Sequence, residues 1–329
     1  LMTPDIYKLF DWFETTDEPN KEHMRFAINS NLMAKENLLN KLIEGTQNIN
    51  HFHLYSSCEA YGKQAEYIRD GLDWEVWTMQ FERICSEARI EGLHMMMTIN
   101  ALCLDTITEF LDWVLEMKRK YGHNKPGISV NILRFPSFQS PLTLPDNMRK
   151  LYHDELQAWL KNTRDKAEVD DEGRLLLADW EQDQLSRLIE YLDVVKTPHR
   201  NTADRTLLEH DFKIFYEQYD ARRFMNFKET FPRLAEFYDG IKIMDIDKDE
   251  EVQAPKTFGV KDSLFAKRIV TEDGEVKVVE MKMRGRQTGE SDEDYDDDLF
   301  QFEPDYKAKP GSSIGWDTDA DGLGGADDG

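Results

Sequence analysis

The sequence predicts an α/β protein built around a parallel sheet. Four short apolar runs, each with Ser or Asn at or near its end, occupy residues 25–31, 51–59, 93–100 and 128–137. Helix-like stretches separate these runs, so that strands and helices alternate at intervals of roughly 30 residues. Successive strand–helix–strand units with right-handed crossovers place their strands in one parallel sheet.

Each element follows from a local pattern. Period-two runs predict strands at residues 25–30, 51–56, 93–99 and 128–134. Apolar residues at helical spacing, with Pro4 suited to a first turn and Gly45 to a helix end, predict five helices between and before the strands. These helices are expected at residues 4–16, 33–44, 61–70, 74–90 and 106–120. Further helices are expected at residues 147–160, 175–196, 206–219 and 227–240.

The chain is predicted to have four parts. Residues 1–145 form the strand–helix domain, and residues 146–248 form a helical extension. Residues 249–285 hold a linker, 249–258, and a β-hairpin that turns at Asp273-Gly274. Residues 286–329 are rich in Gly and Asp, a composition typical of a disordered acidic tail.

Composition limits the partners and the compartment. The chain has 329 residues and a net charge of −24, which argues against binding to nucleic acid because both surfaces are negative. No apolar run approaches the roughly 18–20 residues of a membrane span, so no membrane partner is expected. Cys58, Cys85 and Cys103 share no CxxC-type spacing, which suits the reducing cytoplasm, where we expect this protein.

Polar residues at the strand ends are the best functional indication. Hydroxyl, amide and carboxylate groups at the carboxyl ends of parallel strands can hydrogen-bond a small ligand. Arg69, twelve residues after Ser57, could pair with a ligand carboxylate or, alternatively, with Glu66 or Asp73. Ser and Asn also form turns, and this is the alternative for each position taken singly. The strand-end candidates are Ser30, Asn31, Ser57, Glu59, Asn100 and Asn131.

Three other patterns indicate structure rather than function. The run Met95-Met96-Met97 is interpreted as core, although methionine can also line a pocket. His51 and His53 alternate on one strand, a spacing that can bind a metal, but without an evident third ligand they are interpreted as structural or surface residues. The acidic run from Asp317 to Asp328 resembles a calcium loop by chance composition. The sequence has no GxGxxG after a strand, GxxxxGK[ST], HExxH or GxSxG motif.

Taken in order, the strand ends resemble the second part of a radical S-adenosylmethionine (SAM) enzyme core, in particular the twitch-domain-containing radical SAM proteins. The resemblance covers residues 1–240 and is clearest over 20–146. Leu1-Met2-Thr3-Pro4 is similar to the segment that follows the GGEP motif of that family. The other segments that carry the resemblance are AINSN at 27–31, LYSSCE at 54–59, AEYIRDGL at 65–72 and VNILRFPS at 130–137.

This resemblance implies a partial (β/α)6 TIM-like barrel, of which the chain supplies strands three to six. In that family a CxxxCxxC loop holds a [4Fe–4S] cluster that cleaves SAM reductively and yields a 5′-deoxyadenosyl radical. Ser30 and Asn31 match a third-strand motif, Ser57 and Glu59 match fourth-strand positions near the ribose and methionine, and Arg69 matches an arginine near the methionine carboxylate. Asn100 and Asn131 match polar positions on strands five and six. No catalytic residue is assigned.

The chain also departs from the family. The cluster loop and the GGE motif are missing, so the cluster ligands are expected upstream and the chain alone is expected to be inactive. No cysteine pair after Cys103 could hold an auxiliary cluster. The expected ligand is SAM, and a peptide or protein substrate is a further hypothesis. The alternatives are a non-catalytic interaction protein whose acidic tail recruits basic partners, and an iron-independent SAM- or nucleotide-binding protein.

Overall fold

A four-stranded parallel sheet forms the centre of the larger part of the chain, as predicted. Its strands lie in the sequential order β1-β2-β3-β4. Their bounds are Arg25–Ser30, His51–Ser56, Gly92–Ile99 and Gly127–Ile132. All three pairings are parallel, which confirms the α/β class and the predicted strand order. β4 ends two residues before the predicted end at residue 134.

The structure is a computed structural model that describes residues 4–198, 202–243, 266–270 and 276–280. The chain divides into two units, Leu1–Pro255 and Lys256–Gly329. The helices of the first unit are α1 Pro4–Thr15, α2 Glu36–Thr46, α3 Gly62–Ile68, α4 Trp74–Glu87, α5 Ile107–Tyr121, α6 Asp146–Lys166, α7 Asp179–Leu192, α8 Thr202–Arg223, α9 Phe227–Thr230 and α10 Ala235–Gly240.

One face of the sheet is buried and the other is open. On β2, Phe52 and Leu54 are completely buried, whereas His51, His53 and Tyr55, which alternate with them, stay partly exposed. The same alternation continues on β3, so the burial pattern follows the two-residue period of a strand. The buried side chains join those of the helices in one hydrophobic cluster. We call these two surfaces the helical face and the open face.

The first helices pack closely because of one glycine. Gly45 lies inside the last turn of α2, and a Cβ atom built on it would lie 2.4 Å from the Phe10 ring of α1. The prediction that Gly45 ends this helix is therefore wrong, because the glycine serves a close helix–helix contact instead. The predicted start at residue 33 is also wrong, since the Gln80 side chain bonds both backbone groups of Ala34, at 3.3 and 2.8 Å, before α2 begins.

Helix α7 covers the outer edge of β4. The backbone N–H of Ile128 donates to Glu181 Oε1 at 2.7 Å, and that of Val130 donates to Gln184 Oε1 at 2.5 Å. These side chains replace the acceptors that a further strand would offer. The sheet therefore ends at β4 on this side, with a helix in place of a fifth strand.

The last helices of this unit pack on the loops that follow the strands. Tyr67 of α3 donates to Asp220 of α8 at 2.7 Å, and the Tyr219 hydroxyl donates to the Tyr67 carbonyl at 2.5 Å. Phe138, in the segment after β4, contacts Phe215 with ring centroids 5.2 Å apart. The predicted helical region is confirmed, and it covers part of the end of the sheet where the strand-end residues lie.

The described part of the second unit is a pair of antiparallel strands, β5 Ala266–Val270 and β6 Val276–Glu280. These strands confirm the predicted hairpin. Its predicted turn at 273–274, the predicted linker at 249–258, the tail at 286–329 and the run from 317 to 328 lie outside the described residues. In the portion of the chain that is described, no helix combines the length and apolar character needed to cross a bilayer.

Candidate functional site

The carboxyl ends of β1, β2 and β3 meet at one edge of the sheet, because the strands are parallel. Ser30, the last residue of β1, lies opposite Ser56, the last residue of β2. Ser57 follows directly and is partly exposed. Asn100 follows the end of β3. The structure therefore brings these predicted residues to the same edge, as expected for a ligand site in such a sheet.

Glu59 and Arg69 form the central ion pair of this edge. The Nε and Nη2 atoms of Arg69 donate to Glu59 Oε2 at 3.1 and 2.5 Å. The Glu59 side chain is 4% exposed, whereas that of Arg69 is 28% exposed. Burial raises the pKa of the Glu59 carboxyl, while Arg69 and the Thr98 backbone N–H oppose that rise. The pair thus has a buried acidic end and an accessible basic end.

Neither of the partners expected for Arg69 within its own segment binds it. Glu66 instead accepts the backbone N–H of Trp74 at 2.9 Å. Asp73 caps the start of α4 by accepting the N–H of Val76 at 3.0 Å. The alternative pairing of Arg69 with Glu66 or Asp73 is therefore wrong, because both carboxylates are used to hold the turn before α4.

Three of the strand-end candidates form turns. Ser30 Oγ accepts the N–H of Leu32 at 3.1 Å, and Asn31 Oδ1 accepts that of Met33 at 3.2 Å. Asn100 Oδ1 accepts the N–H groups of the second and third residues after it, at 2.9 and 3.1 Å. These bonds use only acceptor atoms, so the hydroxyl and amide donors of the three side chains are left to meet a ligand or water.

Asn131 belongs to a different surface. It lies in β4 opposite Thr98, and its side chain is exposed. It lines a groove of about 610 Å³ between β4 and α7, together with Arg134 and Arg187. Among the described residues, no hydrogen bond joins the Asn131 side chain to Glu59 or Arg69.

The open face has a cluster of imidazoles, of which only the two on β2 were identified from the sequence. His53 Nε2 lies 3.0 Å from Glu91 Oε2, and its Nδ1 lies 3.0 Å from His94 Nε2. His51 Nδ1 contacts the other Glu91 oxygen at 2.5 Å. Burial lowers the pKa of His94 to about 4, with His53 and Lys118 adding to that effect. The alternation of His51 and His53 was a signal for this cluster, but Glu91 and His94 join it only through the pairing of β2 with β3.

The methionine run divides between the two faces of the sheet. Met95 and Met97 are completely buried on the helical face, whereas Met96 lies partly exposed on the open face. The interpretation of this run as core is confirmed for Met95 and Met97.

The described residues do not fit an iron–sulfur cluster. Cys58, Cys85 and Cys103 are buried. Burial raises the pKa of the Cys58 and Cys85 thiols to about 12 and that of Cys103 well above its usual value, so the thiolates that iron requires are disfavoured. Among the residues described, no group of three or more His, Cys, Asp or Glu side chains is arranged to hold a metal ion.

Comparisons of the chain with protein-family models, curated proteins and solved structures give no significant match. The edge formed by Glu59, Arg69 and the donors of Ser30 and Asn100 offers a cation for a carboxylate and polar groups for hydroxyls. Its chemistry suits the binding of a small polar ligand.

Proposed function

We propose that this chain is part of a radical SAM enzyme and that its strand ends bind SAM. In this proposal β1 to β4 are strands three to six of a partial (β/α)6 barrel. The substrate class that the family resemblance suggests is a peptide or protein. The observation that carries the proposal is the ion pair at the carboxyl ends of the strands, in which Glu59 is buried and Arg69 is partly exposed.

The order of the strands and the burial of one face of the sheet support a barrel. Its strands follow one another in chain order, and its buried side chains all lie on one face. A doubly wound sheet reverses its strand order and has helices on both faces, whereas a barrel keeps sequential order with its helices outside. Parallel sheets, including those of barrels, are normally buried on both faces, so the open face of this sheet would become the barrel interior once further strands close over it.

The exposed end of the ion pair and the neighbouring Ser57 supply complementary contacts for SAM. Arg69 has five N–H donors and uses two of them on Glu59, which leaves others for the methionine carboxylate. Both of those bonds go to the buried Glu59 Oε2, which fixes the plane of the guanidinium. Ser57 lies two residues from Glu59 and presents a partly exposed hydroxyl that could bind the ribose. Ser30, Asn31 and Asn100 shape the surrounding loops and add donors.

The role proposed for this chain is binding and orientation of SAM. A [4Fe–4S] cluster would supply the electron that cleaves SAM, and the buried thiols of the described residues do not fit its ligation. Arg69 would fix the methionine carboxylate and Ser57 would meet the ribose end, while the buried Glu59 holds the guanidinium in place, so that SAM is held in a single orientation. The contact of Arg69 with the carboxylate distinguishes SAM from an uncharged nucleoside, which lacks that charge.

SAM binding to the purified chain tests this proposal. Equilibrium dialysis with radiolabelled SAM is expected to show saturable binding that Arg69→Gln weakens about tenfold, because one charge-assisted contact with the carboxylate is lost. Arg83→Gln is the matched control, since Arg83 pairs with Glu87 on the surface of α4 and is not at the strand ends. Absence of saturable SAM binding, or equal affinity of Arg69→Gln and the unaltered chain, would refute the assignment.

A second test addresses the larger protein. If the coding sequence directly before Leu1 encodes a CxxxCxxC loop and a GGEP motif, that longer protein is expected to form 5′-deoxyadenosine after anaerobic reconstitution with iron and sulfide. An in-frame start at Met2 with no coding sequence upstream would contradict the radical SAM proposal for this chain, even if the strand ends bind SAM.

A further inference from the structure

The groove between β4 and α7 has a chemistry of its own. It measures about 610 Å³ and is lined by Arg134 after β4, and by Gln184, Arg187, Tyr191 and Lys196 from α7 and the segment after it. Three cationic side chains therefore line one groove of a chain whose net charge is −24. Glu190 is the carboxylate of this lining, and it pairs with Lys196 at 3.0 Å.

Two of these cations lack an internal partner. Among the described residues, no hydrogen bond or ion pair involves the guanidinium of Arg134 or that of Arg187. Both side chains are exposed. Acidic residues outnumber basic ones by 65 to 41, so an arginine that no carboxylate neutralises is less expected here than in a balanced protein. The positive charge of Arg134 and Arg187 is thus available to a partner.

A buried arginine adds to the positive potential behind the groove. Arg149 is completely buried and donates from Nη2 to the carbonyl and hydroxyl of Thr197, at 2.7 Å each. Thr197 lines the groove. The Nε and Nη1 atoms of Arg149 have no hydrogen-bond partner, and Asp146 approaches Nη1 only to 3.8 Å. Asp146 and Asp193 offset part of its charge, and the remainder acts over a longer range in the protein interior than it would at the surface.

The backbone of β4 adds a hydrogen-bond donor to the groove. The N–H groups of Ile128 and Val130 point away from β3 and are accepted by Glu181 and Gln184 of α7. The N–H of Leu133 points the other way and donates to the Ile99 carbonyl at 2.9 Å. Strand alternation therefore directs the N–H of Ile132 to the same side as those of Ile128 and Val130.

The α7 side chain at the corresponding position cannot accept this N–H. Glu181 and Gln184 are three residues apart, and the next residue at that spacing along the edge is Arg187. A guanidinium has donors only. Side chains of α7 therefore accept backbone N–H groups of β4 only as far as Val130. Beyond Val130 the groove presents the N–H of Ile132 and the two cations of Arg134 and Arg187.

We propose that this groove binds an extended acidic peptide segment of a partner protein. A carbonyl of the segment would accept the N–H of Ile132, as in the addition of a strand to a sheet edge. Asp or Glu side chains of the segment would meet Arg134 and Arg187, whose planar guanidinium groups match carboxylates. The inference is independent of SAM binding, since the residues involved are not those of the Glu59–Arg69 site.

The test uses fluorescence anisotropy of a labelled eight-residue peptide with Asp or Glu at alternate positions, in about 0.1 M salt. Unaltered chain is expected to bind it, and the double variant Arg134→Gln/Arg187→Gln is expected to bind at least about tenfold more weakly, because two charge-assisted contacts are lost. The double variant is expected to keep the SAM affinity of the unaltered chain, so failure of one proposal does not decide the other.

Arg25→Gln/Arg222→Gln is the matched control. It removes the same charge from two other exposed arginines, one on β1 and one at the end of α8, and should leave peptide affinity unchanged. The proposal is overturned if the unaltered chain does not bind the peptide, or if the control variant weakens binding as much as the test variant. It is also overturned if a peptide with Asn and Gln in place of Asp and Glu binds equally well. Displacement of the peptide by inorganic phosphate at similar concentration would identify a small-anion site instead and would likewise overturn it.

Discussion

Lys118 of α5 and Glu181 of α7 form an ion pair inside the protein. Lys118 Nζ lies 2.9 Å from Glu181 Oε2, and their side chains are 0% and 1% exposed. Lys118 also donates to the His123 carbonyl at 2.7 Å, and Glu181 accepts the N–H of Ile128. Burial lowers the pKa of Lys118, although Glu181 opposes that effect. The pair joins α5 to α7, and Glu181 also attaches α7 to the edge of β4.

Glu181→Ala is expected to lower the free energy of unfolding by about 3–5 kcal/mol, because the substitution leaves a buried ammonium unpaired. It also removes the acceptor of the Ile128 N–H. Urea denaturation followed by circular dichroism measures the change. Glu172→Ala, at an exposed carboxylate paired with Arg174, is the control and should change stability by less than about 0.5 kcal/mol. A loss below about 1 kcal/mol in Glu181→Ala would contradict the assigned role.

Stability is expected to depend on pH through His94. Its pKa in the folded protein is about 4, below the ordinary value near 6.5, and burial is the main cause. The unfolded chain therefore binds more protons than the folded one between these values, so stability falls as pH decreases from about 6.5 to 4. Because His94 is only partly buried, the loss is expected to be about 1–2 kcal/mol after discounting for solvent screening.

His94→Gln separates this contribution from that of the carboxylates. Free energies of unfolding measured at pH 7.0, 5.5 and 4.5 should fall less steeply in His94→Gln than in the unaltered chain. Val195→Ala, at an exposed residue that has no titratable group, should keep the original slope. Equal slopes in all three proteins would show that His94 is not the titrating group.

The strands and most helices could be predicted because their signal is local. Alternation of apolar residues identifies a buried strand face, and Phe52 and Leu54 have zero exposure as that pattern requires. The sequence could not reveal that the other face stays open, because burial of that face depends on elements that pack on it rather than on the strand itself. The end of α2 was misplaced because Gly45 is used for packing against Phe10 and not for a turn.

The site was predicted less completely than the fold, since its contacts join distant segments. Glu59 and Arg69 were each identified as candidates, but their pairing depends on the path of the loop between β2 and α3. Ser30, Asn31 and Asn100 show why small polar residues are ambiguous: each lies at a strand end and each also holds a turn. Turn formation and ligand binding demand the same residue types at the same positions, so composition alone does not separate them.

The three thiols are expected to be unreactive in the folded protein. Cys58, Cys85 and Cys103 are buried, and burial raises the pKa of each. Because the thiolate is the reactive form, modification by a disulfide reagent such as DTNB should be at least ~100-fold slower in native buffer than in urea. Release of the coloured thiolate product measures both rates. Rapid modification of even one thiol under native conditions would show that its burial is wrong.

Gly45→Ala is expected to destabilise the protein, although alanine is ordinarily the better residue in a helix. The new Cβ would lie 2.4 Å from the ring of Phe10 and 2.9 Å from its Cβ, so α1 would have to shift away from α2. The overlap is expected to cost about 1–3 kcal/mol, more than the gain of up to ~1 kcal/mol in helix propensity. Urea denaturation of Gly45→Ala, Phe10→Ala and the double variant tests the contact directly. Because Phe10→Ala removes the Cγ and Cδ2 atoms that the new methyl group would overlap, the double variant should be more stable than the sum of the single losses predicts. If the two losses simply add, the glycine is not required by Phe10 and the explanation given for its position in α2 is wrong.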